Sequence, residues 1–473
     1  MHHTAIPYLK DTIVAVATPS GVGAIGIIRL SGEGALQILR TLWMNSGQTV
    51  DNFESHRIYM GNVIDFSTGS LLDQVLALWF QSPRSYTGED VVEIHAHGNP
   101  LILEQIVASC VAAGARLAEP GEFTRRAYLN GRIDLTQAEA VADVIAASSA
   151  ESVRHAQEQL SGRLSRVLGK IASNVLELRA QVEASLDFPE EDLELLRQQQ
   201  IAERVTALAG ELEQLAATYH EGRLYREGAR VVLVGPTNAG KSSLLNALLG
   251  ETRALVHATA GTTRDSLEEP VVWEGIPIRL TDTAGLRPLP AADTAGGHEQ
   301  IEALGMLRTR ALLEQAELRL LVLDGSAPLT DDVRELAAQL GTERLLVWCN
   351  KSDLPTQLTA EALAALFPHR VLDGSALTGD GLATLQAAVT QELRGSTAGE
   401  AHGVWLTTRR HKIAVDRALA SLYEAKTTLV SGRSTELIAE HLRLAAEQMD
   451  AIVGRGSQDE LLEAIFSRFC IGK

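Results

Sequence analysis

Between Asp11 and about Glu119 the apolar residues come in short runs separated by turns: TIVAVAT, AIGIIRL, HRIYMGNVID, LALWF and DVVEIHAHG. Runs of this length and alternation are strand-like, and helical spacing after Gly34 and after Pro100 interleaves them, so the stretch predicts an α+β domain. The period then changes. Thr136-x-x-Glu139 has the form of a capping box, and a helical region of roughly eighty residues opens at it. Leu160, Leu164, Val167, Leu168, Ile171, Val175 and Leu178 recur at spacings of three and four, which gives one long helix an apolar face. Phe188-Pro189 breaks that run, and a second amphipathic stretch extends to about His220.

From Ala229 to about Leu393 strand-like runs (RVVLVG, PIRLT, RLLVLDG, RLLVWCN) alternate with helical segments, the pattern of βαβ units and a mostly parallel sheet. GSTAGEAHG, residues 395–403, reads as an exit linker, after which helical patterns return, and Ser457-x-x-Glu460 forms a second capping box before the last helix. The last helices are expected to pack on those of 136–220, since neither set has another partner for its apolar face. The expected fold class is multidomain α+β and α/β. Residues 1–122 form an N-terminal α+β domain, 123–226 with 397–473 a central and C-terminal helical domain, and 227–396 an α/β domain inserted into it.

Composition narrows the function classes. A chain of 473 residues exceeds one ordinary core, and 45% hydrophobic with 22% charged residues excludes a disordered or fibrous protein. Lys+Arg 42 against Asp+Glu 60 leaves a net charge of −18, so a general polyanion binder is excluded and any RNA contact must be local. Three scattered cysteines, Cys110, Cys349 and Cys470, make neither a disulfide framework nor a zinc knuckle and fit a reducing compartment. No apolar run approaches ~18 residues and the N-terminal stretch lacks a leader pattern, so a cytoplasmic location is expected.

The chemistry concentrates in the α/β segment. The strand VVLVG leads into Gly235-Pro236-Thr237-Asn238-Ala239-Gly240-Lys241-Ser242, followed by Ser243 and a helical run, which is GxxxxGK[ST] in its strand-to-helix setting. Such a loop wraps phosphates with backbone amides, its lysine reaches the β- and γ-phosphates, and the Ser242 hydroxyl can bind Mg²⁺. Asp282-Thr283-Ala284-Gly285 follows PIRLT, placing a carboxylate where it can hold Mg²⁺ and a glycine amide near the γ-phosphate. Asn350-Lys351-Ser352-Asp353 follows LLVWC; an aspartate there can accept N1–H and the 2-amino group of guanine, a pair that adenine lacks. Ser375-Ala376 can present an amide to guanine O6. In this order the motifs indicate GTP and a Ras-like P-loop G domain. Thr262 and Thr263 in GTTRD occupy a first-switch position, with the Thr263 hydroxyl placed to close on Mg²⁺. The residue after DTAG is Leu286, which cannot orient water as the glutamine of Ras does. Asn238 and the VHATAGTT loop point instead to a monovalent cation beside the phosphates, although a plain turn residue remains open for Asn238.

These residues resemble the MnmE (TrmE) family of tRNA-modification GTPases along nearly the whole chain: DTIVAVATPSGVGAIGIIRLSG, SYTGEDVVEIHAHGNP, PGEFTRRAYLNGRIDLTQAEAVADVI, the G motifs with GTTRD and DTAGLR, and the terminal FCIGK. The resemblance implies a folate-binding N-terminal domain that forms a homodimer, and a GTPase stimulated by K⁺ and by G-domain dimerisation. It assigns K⁺ to Asn238, His257, Thr259 and Thr262, and the water-orienting glutamate to Glu302 in Ile301-Glu302-Ala303-Leu304-Gly305, with Glu299 as a second candidate. Folate binding carries over onto Arg29, Glu93, Arg132 and Lys473, for 5-formyltetrahydrofolate or another tetrahydrofolate one-carbon donor. Cys470 is placed near that pocket with an undetermined role. The implied partners are the FAD-binding MnmG and tRNA, with modification at C5 of the wobble uridine, position 34. Glu93, His95 and His97 share one strand face, which raises a metal site, but no third ligand lies at short range. Two alternatives stand beside this reading: an Era- or Der-like ribosome-assembly GTPase, and a one-carbon transferase regulated by GTP.

Overall fold

The computed structural model describes residues 11–44, 53–187, 198–250, 268–282, 311–341, 343–367, 371–395, 403–431, 434–456 and 459–473. The chain divides into two compact units, the first Met1–Ala142, Gln159–Ser173 and Ala446–Lys473, the second Asp143–Glu158 and Asn174–Ala445. Each combines a sheet with helical segments.

The first unit is built on seven strands: β1 (Ile13–Val16), β2 (Ile25–Ser31), β3 (Trp43–Met44), β4 (Ile58–Ile64), β5 (Leu71–Phe80), β6 (Val91–His97) and β7 (Arg116–Leu117), in the order β3-β4-β5-β6-β2-β1-β7. All neighbours are antiparallel except β1 and β7. Period-two alternation turns Ile28, Leu30, Val92 and Ile94 toward the helices Ala35–Leu42 and Pro100–Ala112, where they form the core with Leu39, Leu103 and Ile106. Arg29, Glu93 and His95 therefore fall on the other face, half-buried. The expected strands and both helices are present. β5 starts earlier than LALWF, at Leu71, and its polar Asp73 accepts the amide of His97 on the neighbouring β6 at 2.8 Å. β3 and β7, two residues each, are too short to leave a pattern in the sequence.

The capping box is corrected by two residues. The helix Leu135–Ala146 starts before Thr136, and Asp134 Oδ1 accepts the Gln137 amide at 3.0 Å while Gln137 Oε1 accepts the Asp134 amide at 3.0 Å. Thr136 is buried inside the first turn, its hydroxyl bonded to Asp134 and Ser165, so it cannot cap. The last helix, Asp459–Phe466, packs Leu462 and Phe466 on Leu135 and Ala138, as its unpartnered apolar face requires.

Beneath β1 the guanidinium of Arg126, 2% exposed, donates to Asp11 (2.6 Å), Glu122 (3.0 Å) and Glu89 (3.1 Å), and Arg116 joins Asp11 and Glu122 at 2.7 Å each. Burial pushes the Asp11 and Glu122 carboxyls up, but the two arginines outweigh it and hold both below the ordinary carboxylate range.

The second unit carries β8 (Ala229–Val234), β9 (Glu268–Trp273), β10 (Ile276–Asp282), β11 (Leu318–Asp324), β12 (Leu345–Asn350) and β13 (Val371–Asp373), ordered β13-β12-β11-β8-β10-β9. Every pair is parallel except β9 with β10, which turns at Glu274-Gly275; β9 was not among the expected strands. Apolar runs buried on both faces explain the absence of alternation. Val231 and Leu233 meet the helices Lys241–Gly250 and Leu382–Arg394, whereas Val232 and Val234 meet Asp331–Leu340 and Ala360–Leu366. Elsewhere in this unit the helix Arg409–Val430 packs along Gln198–Ala217, again matching the expectation for the late helices. Among the described residues no helix is long and apolar enough to cross a membrane.

Candidate functional site

In an open α/β sheet ligands gather at the carboxyl ends of the parallel strands, and the motifs of this chain converge there. β8 ends at the phosphate loop, β10 at Asp282, β11 at Asp324 and β12 at Asn350. Asn238 adopts φ 67°, a left-handed conformation that asparagine tolerates and that turns successive loop amides inward. Gly240 has φ 89°, and a Cβ on it would lie 2.2 Å from Asn350 Nδ2, so glycine is required. Lys241 is buried, its ammonium donating to the carbonyls of Gly235 and Pro236 at 2.8 Å each, which holds it over the loop. Ser242 Oγ donates to Asp282 Oδ2 at 2.6 Å, bringing together a hydroxyl and a carboxylate from segments forty positions apart. A hard divalent cation takes such oxygens as ligands.

Asn350 proves to be a brace. Its side chain is buried; Nδ2 donates to Ala239 O at 3.0 Å and Oδ1 accepts the Ala376 amide at 2.9 Å, tying the phosphate loop to the Ser375-Ala376 loop. Asp353 accepts from the Ser375 hydroxyl at 2.5 Å, which fixes the carboxylate expected to read the base. Lys351, at φ 66°, donates from Nζ to Asp324 Oδ2 at 2.5 Å. Burial pushes the Asp324 carboxyl up, but hydrogen bonds from Lys351 and Ser326 hold it below the usual range. Asp324 was missed in the sequence, although its place at the end of β11, level with Asn350 in the register, is the signal that could have found it. Ser243 lies in the first turn of the helix that opens at Lys241. Thr262, Thr263, His257, Thr259, Thr283, Ala284, Gly285, Glu299 and Glu302 lie outside the described residues.

A second constellation stands on the open face of the first unit. Arg29 Nη2 and Nε donate to Glu93 Oε1 at 2.8 and 3.0 Å, and Nη1 reaches the Gly472 carbonyl at 3.4 Å. The guanidinium carbon sits 5.7 Å from the centre of the Tyr86 ring and 5.8 Å from that of Phe123. Phe123 also donates its amide to the Lys473 carbonyl at 3.2 Å, so the chain terminus is drawn to Arg29. The rings of Tyr86 and Phe123 were not foreseen, since nothing in the sequence separates them from core aromatics. Arg132 is exposed beside Gly88, and no hydrogen bond among the described residues joins it to Arg29 or Glu93. His95 Nε2 lies 3.4 Å from Glu93 Oε2, but His97 pairs with Asp73 at 2.8 Å, so the shared strand face divides into separate contacts. No group of His, Cys, Asp and Glu that could hold a metal ion occurs among the described residues. Burial pushes the Cys110 and Cys349 thiols up to about 12, the latter with help from Asp373, whereas Cys470 is exposed.

The description "MnmE helical domain" matches residues 135–470, and "GTP-binding protein TrmE N-terminus" matches residues 12–132. The chain is 44% identical over 465 residues to the tRNA modification GTPase MnmE of Syntrophotalea carbinolica, covering 98% of this chain and 99% of that one. It is 41% identical to that of Geobacter sulfurreducens, over 98% and 100% of the two chains, and 38% identical to that of Latilactobacillus sakei, over 98% of each. The solved G domain of the T. maritima FeoB iron transporter aligns with 35% of this chain and 98% of its own, with 23% identity and a TM-score of 0.25, a likeness too slight to argue from. The N-terminal match sets aside the ribosome-assembly alternative, whose appendage would be an RNA-binding one. With relatives alike along their full length, the chain belongs to the tRNA modification GTPase MnmE family and is a GTP-binding hydrolase acting in tRNA modification.

Proposed function

We propose that the chain is a potassium-activated GTPase that, with the FAD-dependent partner MnmG, installs an aminomethyl or carboxymethylaminomethyl group on C5 of the wobble uridine of tRNA, drawing the carbon from a tetrahydrofolate. The observation that carries the GTPase part is the joining of Ser242 to Asp282 at 2.6 Å beside the braced Asn350. Ser242 and Thr263 would hold Mg²⁺, which supplies positive charge to the β- and γ-phosphates. Lys241, Gly240 and the other loop amides bind and orient those phosphates, Asp282, Thr283, Ala284 and Gly285 follow the γ-phosphate, and Asp353 with Ala376 reads guanine. K⁺ would lie against Asn238, with His257, Thr259 and Thr262 from the sequence that follows the helix Lys241–Gly250. Glu302, or Glu299 in its place, orients the attacking water, since Leu286 cannot.

Folate would sit by Arg29 and Glu93, with Lys473 and Arg132 toward its carboxylate tail. A carboxylate held by a guanidinium between two rings suits a flat, amino-bearing heterocycle. Homodimer formation is supported by Ile58, Met60 and Leu76, exposed on adjacent strands of the open sheet face at 62%, 68% and 40%. The domains would be residues 1–122, 123–226 with 397–473, and 227–396, in a cytoplasmic protein.

GTP turnover in KCl and in NaCl at matched ionic strength, for the chain and for Glu302→Ala, tests the core of this reading. Strong K⁺ dependence lost in the variant is the expected result. Equal rates in both salts would remove the cation mechanism, and K⁺ dependence with an unaffected variant would move the water-orienting role to Glu299.

A further inference from the structure

Two neighbouring parallel strands of the second unit, β8 and β10, carry the nucleotide site at their carboxyl ends: the phosphate loop follows one, Asp282 closes the other, and Ser242 meets Asp282 at 2.6 Å. Their amino ends are joined as well, by the start of the helix Ala150–Leu160. Ser149, the residue before that helix, donates from its hydroxyl to the Gly275 carbonyl at 2.6 Å, directly before β10. Ser152 donates to the Tyr225 carbonyl at 2.6 Å, on the helix Tyr219–Glu227 that leads into β8. Both serines are buried, and Ser149 Oγ also accepts the Ser152 amide at 3.0 Å, so one hydroxyl both caps the helix and ties the strand.

The turn that Ser149 holds is built for close approach. Glu274 and Gly275 have φ 46° and 83°, the left-handed pair that a tight two-residue hairpin uses, and a Cβ on Gly275 would fall 2.6 Å from Glu151 Cγ. Glutamate rarely adopts that conformation. Arg394 holds it there, pairing with the Glu274 carboxylate at 2.9 Å and donating to its carbonyl at 3.2 Å. One turn further along the helix, the His155 ring lies 4.7 Å from the centre of Tyr225 and 5.0 Å from that of Trp405.

We infer that Ser149 and Ser152 couple the nucleotide site to the helix Ala150–Leu160 by sensing the position of β10 relative to β8. A ligand that bridges the phosphate loop and Asp282 acts on the two strands at one end, and the serines grip them at the other. A strand paired along its length does not stretch, so a shift of β10 at Asp282 is carried across its 7 residues, about 20 Å at ~3.3 Å each, to Gly275. Both acceptors are main-chain carbonyls, which follow the backbone and not a rotamer. A hydroxyl–carbonyl bond of this length tolerates little displacement, so the shift either carries the helix along or breaks the tie. The far end of the helix is held too: Gln159 donates to the Thr136 carbonyl at 3.1 Å, and the Leu160 carbonyl accepts from Gln137 at 2.8 Å. The inference rests on Asp282 serving the bound nucleotide, and not on the potassium or folate readings.

The test is hydrogen exchange of peptides covering residues 149–160 in the full chain, in KCl with Mg²⁺, with GDP and with guanosine 5′-(β,γ-imido)triphosphate. In the unaltered chain, exchange in this helix should differ about 3- to 10-fold between the two nucleotides. Ser149→Ala should remove that difference while GTP turnover stays within about twofold, and Ser149→Thr, which keeps a hydroxyl for both cap and tie, should restore it. A serine that only caps the helix would give Ser149→Ala the same loss of protection with either nucleotide and leave the ratio between them intact; that result overturns the inference. Equal exchange with both nucleotides in the unaltered chain overturns it as well. If Ser149→Ala leaves the helix too open for a ratio to be read, Gly275→Ala decides, because it moves the turn and leaves the cap: loss of the difference supports the coupling, and a retained difference overturns it. Calorimetric titration of both nucleotides on the same preparations separates the two levels. Binding without an exchange difference is a failure of the coupling alone, whereas absence of binding would sink the nucleotide site and the coupling together.

Discussion

The nucleotide site and the Arg29 and Glu93 cluster are built by opposite routes. The first is a contiguous loop braced by the ends of neighbouring parallel strands, and its key contacts are short in sequence or tied by sheet register: Lys241 to Gly235 and Pro236, Asn350 to Ala239. The second joins Arg29 to Glu93 across an antiparallel pair and then to Gly472, 443 positions away. A contiguous site holds its shape through backbone conformation, so glycine and left-handed asparagine carry it. An assembled site depends on the sheet and on the docking of the C-terminal segment, so ion pairs and rings carry it.

The sharpest way to break this comparison is Gly240→Val. With φ 89° and a Cβ position 2.2 Å from Asn350 Nδ2, the substitution combines backbone strain with loss of the brace, each of about 1–3 kcal/mol. GTP binding by isothermal titration calorimetry should weaken roughly 100-fold, while folate binding by the same method stays unchanged; a parallel loss of both would show that the two sites are not independent.

Arg29→Ala attacks the assembled site. It leaves the half-buried Glu93 without its guanidinium, a cost of about 1–3 kcal/mol, and should weaken binding of 5-formyltetrahydrofolate roughly 10- to 100-fold. GTP turnover is expected to stay within about twofold. A smaller effect is expected for Asp324→Asn, which removes the carboxylate charge that holds Lys351. KM for GTP should rise about 3- to 10-fold with kcat little changed, since the contact orients the lysine of the base-reading loop and not the phosphates.

Acid should separate the two units as well. The folded-state pKa values of Asp11 and Glu122 are lowered, so their stabilising contribution is complete above the unfolded carboxylate pKa of about 4 and is lost as pH falls through the lower folded values. Hydrogen exchange read peptide by peptide from pH 6 down to about pH 3, corrected for intrinsic exchange rates, should show protection falling around β1 and the helix Glu122–Leu129, and Arg116→Gln should flatten that dependence. The least effect is expected from His97→Ala. That imidazole is 70% exposed beside Asp73, and its loss should change stability by no more than about 0.5 kcal/mol in urea unfolding.

The difference in construction also explains what was readable. Most strands of the two sheets, though not β3, β7 or β9, the phosphate loop, Asp282 and the NKxD segment are carried by local periodicity and by fixed spacing, and these survive in a linear string. Thr136-x-x-Glu139 shows the limit of a local rule. The same string also contains Asp134-x-x-Gln137, and burial of Thr136 against Ser165 decides between them.

By itself the sequence determined most of the segments that become strands and helices, that a phosphate loop follows β8, and that GTP is the fitting nucleotide, because each follows from residues within a few positions of one another. Tertiary structure alone decided that Asn350 is a brace, that Asp324 holds Lys351, and that Tyr86 and Phe123 flank Arg29. These contacts join residues far apart in sequence. Which distant side chains meet is set by strand order, register and the packing of helices, and none of these leaves a spacing that can be counted along the chain.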